Sequence, residues 1–384
     1  GEISFSLTDP YGRETALGKA DLKEGAEQCI SYKITSPLKW DSEHPYLYML
    51  TASVITEGSV RETAVRRIGF RQIEKRGREV FLNGDRLKLR GINRHDTHPL
   101  RGRAITHELV EEDVRLFKEA NINFIRTSHY PPRPDFLDLC DEYGIYVEDE
   151  TAVAFLGQEI GWRENDPAFK AQFMDQFAEL IERDRSHPCV ILWSLANESV
   201  WGRNLALENA YAHQEDPGRL TIFSYPVTQH EDDERADIFS MHYAAWDQEP
   251  DALVDSFNRS RMEAPDWPVL HDESTHIPCY DRGDQRRDPG VRDFWGQTIR
   301  QFWDRLWKAE GVLGCAIWAG LDEVRALDDK NAAGGYVGAP WGILDGWRRR
   351  KPEFWHVRKA YSPIRLTGGP KEEGGKILLP IENR

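Results

Sequence analysis

The chain of 384 residues is poor in cysteine, in positive charge and in long apolar runs. Its five cysteines (Cys29, Cys140, Cys189, Cys279 and Cys315) are scattered, with no C-x-x-C spacing. That pattern argues against a zinc framework or a disulfide scaffold and leaves free, mostly buried thiols as the expectation. Lysine and arginine number 50 against 65 aspartates and glutamates, for a formal net charge of −15. Such an acidic balance disfavours nucleic acid and anionic membrane as partners. No stretch reaches the roughly 18 consecutive apolar residues that a membrane span requires. The first ten residues, GEISFSLTDP, have neither the basic start nor the apolar core of a secretory signal. The compartment stays open between cytoplasm, periplasm and secretion after removal of a leader. The sequence has no internal repeat and no low-complexity tract.

Hydrophobic residues make up 40% of the chain, enough to bury a sizeable core, and the length suits one large domain with a smaller one. Aromatic residues make up 11%, and exposed aromatic rings suit flat apolar faces such as those of sugars. Residues 1 to about 72 are punctuated by Gly, Pro and Asp. Tyr48, Leu50, Ala52 and Val54 alternate with more polar neighbours, the period of a half-buried strand, so a small β-sandwich is expected. Asn83-Gly84 between two short apolar runs signals a tight hairpin.

Beyond the hairpin the pattern changes to strand and helix in alternation. Strand-like runs stand at LKLRGIN, NFIRTSH, IYVEDE, VILWSLAN, TIFSYP, IFSMHY, PVLHDES and GCAIWAG. Thr106 can cap a helix whose Val110, Val114 and Phe117 share one face. Asp166-Pro167 opens a second, with Phe169, Phe173 and Phe177 at spacing four. A third runs from Val291 to Gly311. Eight such units predict an α/β fold, a (β/α)8 TIM barrel. Chemistry on that fold gathers at the C-terminal strand ends, where the loops converge.

The strand ends are rich in polar groups. Asn93 to Asp96 close the first strand, Arg126, Ser128, His129 and Tyr130 the second, and Asp149 and Glu150 the third. Asn197 and Glu198 close the fourth, Ser224 and Tyr225 the fifth, and His242 and Tyr243 the sixth. The seventh closes with Asp272, Glu273 and His276, and the eighth with Trp318. Strands four and seven lie nearly opposite one another in an eight-strand ring, so Glu198 and Glu273 can face each other. A facing carboxyl pair is the equipment of glycoside hydrolysis: one carboxyl protonates the leaving oxygen and an ionised one attacks the anomeric carbon. A single glutamate at a helix start is often only a dipole partner; the joint placement carries the reading. Asp149 and Glu150 read as acceptors for strand-end amides, and Trp347 to Lys351 as a solvated basic loop.

Three stretches carry a family likeness. GINRHDTHPLRGRAI, FIRTSHYPPRPDFLDLCDEYGIYVEDE and HPCVILWSLANES resemble glycoside hydrolase family 2, the β-galactosidase and β-glucuronidase group. The resemblance implies a retaining exo-β-glycosidase: an immunoglobulin-like sandwich over 1–73, incomplete at its start, a catalytic barrel over 74–362, and a tail or the start of a further β-domain over 363–384. It implies Glu198 as acid/base, Glu273 as nucleophile, and Asn197 as the group binding the sugar 2-hydroxyl. His95, His129 and His276 match sugar-contacting histidines, Tyr243 a tyrosine beside the nucleophile, Trp318 the floor of the glycone pocket, and Arg126 a cation near the nucleophile.

Departures from the family pattern set further expectations. Ala154 and Leu156 stand where the bacterial β-galactosidases have a glutamate and a histidine for Mg²⁺, so no metal and no other cofactor is expected. Trp341 replaces the asparagine of their sodium site, and Ser274 replaces an aromatic after the nucleophile. ETAVAF resembles the metal-free glucuronidase branch, yet the Asn-Lys pair that holds a uronate has no counterpart. The family's N-terminal jelly roll is expected in the full-length protein. The expected partner is a carbohydrate, a β-galactoside first with β-glucuronide next, and a homo-oligomer is left open. Two rivals remain: a non-catalytic carbohydrate-binding barrel, and a metal hydrolase using His95 and His98. The second lacks the ligands it would need at strands four, five and eight.

Overall fold

The computed structural model describes residues 1–22, 29–156, 163–225, 235–244, 266–276, 288–326 and 336–384. The N-terminal segment forms an antiparallel sheet of β1 (Glu2–Thr8), β2 (Glu14–Asp21), β3 (Tyr48–Thr56) and β4 (Ser59–Ile68), in the order β2-β1-β3-β4. A small meander follows, of β5 (Ile73–Arg76), β6 (Glu79–Leu82) and β7 (Asp85–Arg86). Asn83 and Gly84 turn it with φ of +56° and +99°, the left-handed pair that a tight hairpin demands.

All eight strand runs expected from the sequence form one closed parallel barrel. In chain order they are β8 (Leu89–Arg94), β9 (Phe124–Thr127), β10 (Tyr146–Glu150), β11 (Val190–Asn197), β12 (Leu220–Ser224), β13 (Ile238–His242), β14 (Val269–Ser274) and β15 (Val312–Ile317). Nearly every residue in them is buried, which is why they read as continuous apolar runs rather than as an alternation. Gly91 permits close approach of neighbouring strands: a Cβ there would lie 2.5 Å from the Phe124 ring and 2.7 Å from the Cys315 carbonyl.

The outer layer includes α1 (His107–Glu119), α2 (Pro134–Tyr143), α3 (Lys170–Asp184), α4 (Arg203–Glu215), α5 (Pro289–Lys308) and α6 (Pro352–Ala360). Val110, Val114 and Phe117 of α1 are buried, as their spacing predicts. Asp166 accepts the Ala168 N–H ahead of α3, and Asp288 accepts the Gly290 N–H at the start of α5, so these two proline-led starts are side-chain capped. No helix among the described residues is long and apolar enough to cross a membrane. Cys140, Cys189 and Cys315 are buried free thiols and Cys29 is exposed; Cys279 lies outside the described residues.

The N-terminal segment is pinned to the barrel's lower face. Fully buried Trp40 donates from Nε1 to the Asp141 carbonyl at 2.9 Å. Arg71 donates to the carbonyls of Pro188 and Val190, both at 2.6 Å. Beside these contacts, Asp141, His187 and Cys189 bring potential metal-ligating atoms within 4.8 Å of one another. Both Asp141 oxygens already bind protein groups, His187 Nδ1 at 2.7 Å and the Cys189 N–H at 2.9 Å, so the cluster is a structural tie between α2 and β11.

One expectation fails here. The run Trp347 to Lys351 is not a solvated loop throughout. Arg348 is buried, and its guanidinium donates to Asp113 at 3.0 Å and to the Thr97 carbonyl at 2.8 Å. Lys351 bonds Asp322 at 2.8 Å. Partner carboxylates on distant elements turned these cations inward, and local sequence does not display them.

Candidate active site

Four successive barrel strands end in the same backbone device. Glu198 after β11, Tyr225 after β12, Tyr243 after β13 and Thr275 after β14 have φ of +41°, +52°, +48° and +54°. None is glycine, so each occupies a sparsely populated left-handed conformation costing on the order of 1–3 kcal/mol. Ladder hydrogen bonds from neighbouring strands hold two of these kinks: Glu198 N–H donates to the Ser224 carbonyl, and Tyr243 N–H to the Glu273 carbonyl, each at 2.9 Å. The kinks turn side chains at the strand ends over the barrel mouth.

Arg126, at the end of β9, is the hub. It is fully buried. Its Nε and one terminal nitrogen donate to the two oxygens of Glu150 at 2.8 and 3.0 Å. The other terminal nitrogen donates to Glu273 Oε2 at 2.9 Å and Asn93 Oδ1 at 3.1 Å. Asn197 Oδ1 accepts at 2.7 Å, which leaves Asn197 Nδ2 a buried donor with no partner among the described residues. Glu150 also accepts from Ser194 Oγ at 2.7 Å and meets His129 Nδ1 at 2.8 Å. Burial would raise the Glu150 carboxyl, but Arg126 and His129 outweigh it and hold it at about 2. Glu150 is therefore a side-chain organiser of the mouth, not an acceptor for strand-end amides. Glu148 and Asp272, by contrast, are pushed up, chiefly by burial. One guanidinium cannot ionise four buried carboxyls.

Glu198 and Glu273 face each other, with one carboxylate oxygen of each within 4.8 Å of the other. Burial would raise the Glu273 carboxyl; His242, Arg126, His129 and the Tyr243 phenol, in that order, outweigh it and hold it down at about 2. The Tyr243 hydroxyl donates to Glu273 Oε1. Burial, and then this contact with Glu273, push the phenol's own pKa up, so it remains a donor. His242 lies between the two glutamates, its Nδ1 3.1 Å from Glu198 Oε1 and 3.9 Å from Glu273 Oε2.

Aromatic rings wall the opposite side. Trp318 stacks on His129 with centroids 5.3 Å apart and an interplanar angle of 9°. His95 meets Trp318 edge-on at 5.4 Å. His276 stacks on Tyr243 at 4.6 Å and approaches Trp318 at 6.4 Å and Trp341 at 5.8 Å. Burial, with His129 and Arg103 nearby, holds His95 down at about 3, so its imidazole is neutral near pH 7. Trp318 is only 5% exposed and one face is covered by His129, so it offers a ligand little open ring surface. Contacts thus link all nine residues singled out in the sequence: Glu198, Glu273, His95, Arg126, His129, Asn197, Tyr243, His276 and Trp318. His98 instead accepts the Leu100 N–H and packs edge-on to Trp347.

Sequence reasoning assigned no role to His242, Tyr225 or Phe155, and did not show that Glu150 shares Arg126 with Glu273 or that Trp341 meets His276. Phe155 is 56% exposed and stands edge-on to His129, an apolar rim to the mouth. The strand-end tally named His242, but nothing local showed which neighbours it meets. The segment carrying Ala154 and Leu156 runs beside the end of β11, with Phe155 N–H donating to the Asn197 carbonyl at 3.0 Å. Neither side chain is a metal ligand.

The barrel model of glycosyl hydrolases family 2 matches residues 73–365, and a second model of the same family matches residues 1–71. The chain belongs to this family. It is 35% identical to a β-galactosidase of Alteromonas mediterranea, over 98% of this chain and 36% of that one. It is 36% identical to a β-galactosidase of Halalkalibacterium halodurans, over 99% of this chain and 37% of that one. It therefore spans a little over a third of each. A β-D-glucuronidase of Dictyoglomus thermophilum has a similar structure, with a TM-score of 0.73 at 20% identity over 94% of this chain and 64% of that one. At that identity the likeness speaks for the fold alone.

Proposed function

We propose that this chain carries the catalytic centre of a retaining exo-β-glycosidase that removes terminal β-linked sugars, with β-galactosides as its substrates. The observation that carries this reading is the carboxyl pair: oxygens of Glu198 and Glu273 approach within 4.8 Å. Retaining enzymes hold the pair about 5–5.5 Å apart, whereas inverting ones leave about 6.5–9.5 Å for a water. Glu273, kept ionised, attacks the anomeric carbon; Glu198 protonates the leaving oxygen and then activates the water that releases the sugar. Asn197 Nδ2, a buried donor, would donate to a sugar hydroxyl oxygen.

A neutral sugar suits the pocket better than a uronate. Glu323 Oε1 stands 3.2 Å from His95 Nε2, so a third carboxyl borders the histidine and tryptophan wall. Arg126, a buried cation at the mouth, already serves Glu150 and Glu273. A sugar carboxylate would add negative charge beside these groups. The names of the 35–36% identical relatives support a galactoside as well.

Nitrophenyl β-glycosides test the reading. Release from the β-galactoside, with the β-anomer of the sugar seen first by NMR, is the expected result. Affinity for sugars without release would favour a binding barrel; release of the α-anomer first would rule out retention. Preference for the β-glucuronide would overturn the choice of sugar while leaving the mechanism standing.

Tyr243→Phe is expected to lower kcat/KM about 10- to 150-fold, because a hydrogen bond to an ionised group contributes about 1.5–3 kcal/mol. Because Glu273 loses one group that holds its pKa down, its own titration, at about 2 in the parent, should move up. An unmoved Glu273 titration, followed by carboxyl NMR, would show that the phenol does not act on it.

A further inference from the structure

His242 is a titratable group at the mouth that the mechanism above leaves without work. Its side chain is 1% exposed. Its ring stacks on Tyr225 at 4.6 Å and 9°, and lies edge-on to Tyr243 at 5.8 Å. Nε2 is 2.9 Å from Ser224 Oγ and 3.7 Å from Asp272 Oδ1, which fixes the ring and aims Nδ1 at the glutamate pair. Resting on the roles given to Glu198 and Glu273, we propose that His242 is a protonated positioning residue that serves the two catalytic carboxyls in turn: its Nδ1–H anchors Glu198 Oε1, and its charge stays beside whichever glutamate is ionised.

The charges around the ring support this. Glu198 faces it from the end of β11, Tyr225 from β12, Tyr243 from β13, Asp272 and Glu273 from β14, and Arg126 from β9. Burial opposes a charged imidazole, and Arg126 opposes it further. Glu273, the hydrogen bond to Glu198 and Asp272 outweigh both and raise its pKa. With His242 protonated, two buried cations, Arg126 and His242, balance the two carboxylates held low, Glu150 and Glu273.

The reaction moves one negative charge across this ring. In the first half, Glu273 forms a bond to the anomeric carbon as that carbon's bond to the leaving oxygen breaks, and the Glu198 proton passes to the leaving oxygen. Glu273 is then a neutral ester and Glu198 a carboxylate. In the second half, water gives a proton to Glu198 and its oxygen to the anomeric carbon, and Glu273 departs ionised. His242 keeps its own proton throughout. It stabilises the charge arising on Glu198 as that acid gives up its proton, and the anchored Oε1 leaves the other oxygen to face the substrate.

The test compares His242→Asn and His242→Gln with the parent chain on a phenyl β-glycoside and its 2,4-dinitrophenyl analogue, from about pH 5 to about pH 9. Asparagine keeps a neutral donor near the Nδ1 position; glutamine removes it, and thermal melting shows which variants fold. A phenyl leaving group needs the acid, whereas dinitrophenolate leaves unaided. The variants should lose about 10- to 100-fold in kcat/KM on the phenyl substrate but less than about threefold on the dinitrophenyl one. The alkaline limb of the phenyl profile should shift, because in the parent activity falls as pH rises through the raised His242 pKa. Equal losses on both substrates, or an unmoved alkaline limb, overturn this inference while the roles of the glutamates stand. A parent chain that hydrolyses neither substrate overturns the reading of the site and this inference together.

Discussion

Glu273→Gln is expected to give a folded protein whose turnover of any β-glycoside falls by about 10³-fold or more, because an amide oxygen cannot form the glycosyl ester. Folding should survive. Glutamine keeps the shape: its amide oxygen can still accept from Arg126, and its NH2 group can donate to the Tyr243 hydroxyl, the two groups that bond the Glu273 oxygens in the parent. The pH profile adds a second expectation. Glu273 is held at about 2, so it stays ionised throughout the range in which such a protein is assayed. Loss of activity between about pH 5 and pH 3 in the parent therefore reports another group, not the nucleophile. Rate measurements on the purified variant, with its melting temperature beside the parent's, check both points. Turnover within about tenfold of the parent would remove Glu273 from the mechanism.

The legible part of this protein is what local pattern controls. The eight barrel strands stand out because strands covered on both faces must be continuously apolar, and seven of the eight are closed by polar groups. Asn83-Gly84, Asp166-Pro167 and the Val110, Val114, Phe117 stripe declare their turns and helices by the same local logic. Glu198 and Glu273 could be paired from topology alone, since strands four and seven of an eight-strand ring face each other.

What stayed hidden depends on distance in the chain. His242 takes its role from Glu198, 44 residues away, and from Glu273. Glu150 was legible as a strand-end acid, but not as the partner that shares Arg126 with the nucleophile. Arg348 was taken for a surface cation because its partner Asp113 lies 235 residues earlier. A charged residue in sequence looks solvated until its counter-ion is known. The left-handed turns at Glu198, Tyr225, Tyr243 and Thr275 carry no glycine to announce them, because the side chain itself is what the turn must present.

Substitutions at Arg126 should have the largest effect on stability. Arg126→Met leaves Glu150 and Glu273 buried without their shared cation, and breaking one such buried pair costs about 3–5 kcal/mol. This variant is expected to be largely unfolded or insoluble. Arg126→Lys keeps the charge but loses the planar fork, and one ammonium cannot replace a guanidinium that reaches Glu150, Glu273, Asn93 and Asn197 together. It should fold with reduced stability, and pH dependence separates lost charge pairing from lost packing. Glu150 and Glu273 both have folded-state pKa values near 2 against an ordinary 4.5. Depressed carboxyls contribute stability above their unfolded pKa and lose it as pH falls through the folded one. The gap between Arg126→Lys and the parent should therefore be widest above about pH 4.5 and narrow as the pH approaches 2. Urea unfolding at pH 7 and at pH 3 measures that gap directly. If it is equally wide at both, the guanidinium acts through packing and hydrogen bonds to Asn93 and Asn197, and the ionised state of Glu273 must rest on His242 and Tyr243 instead.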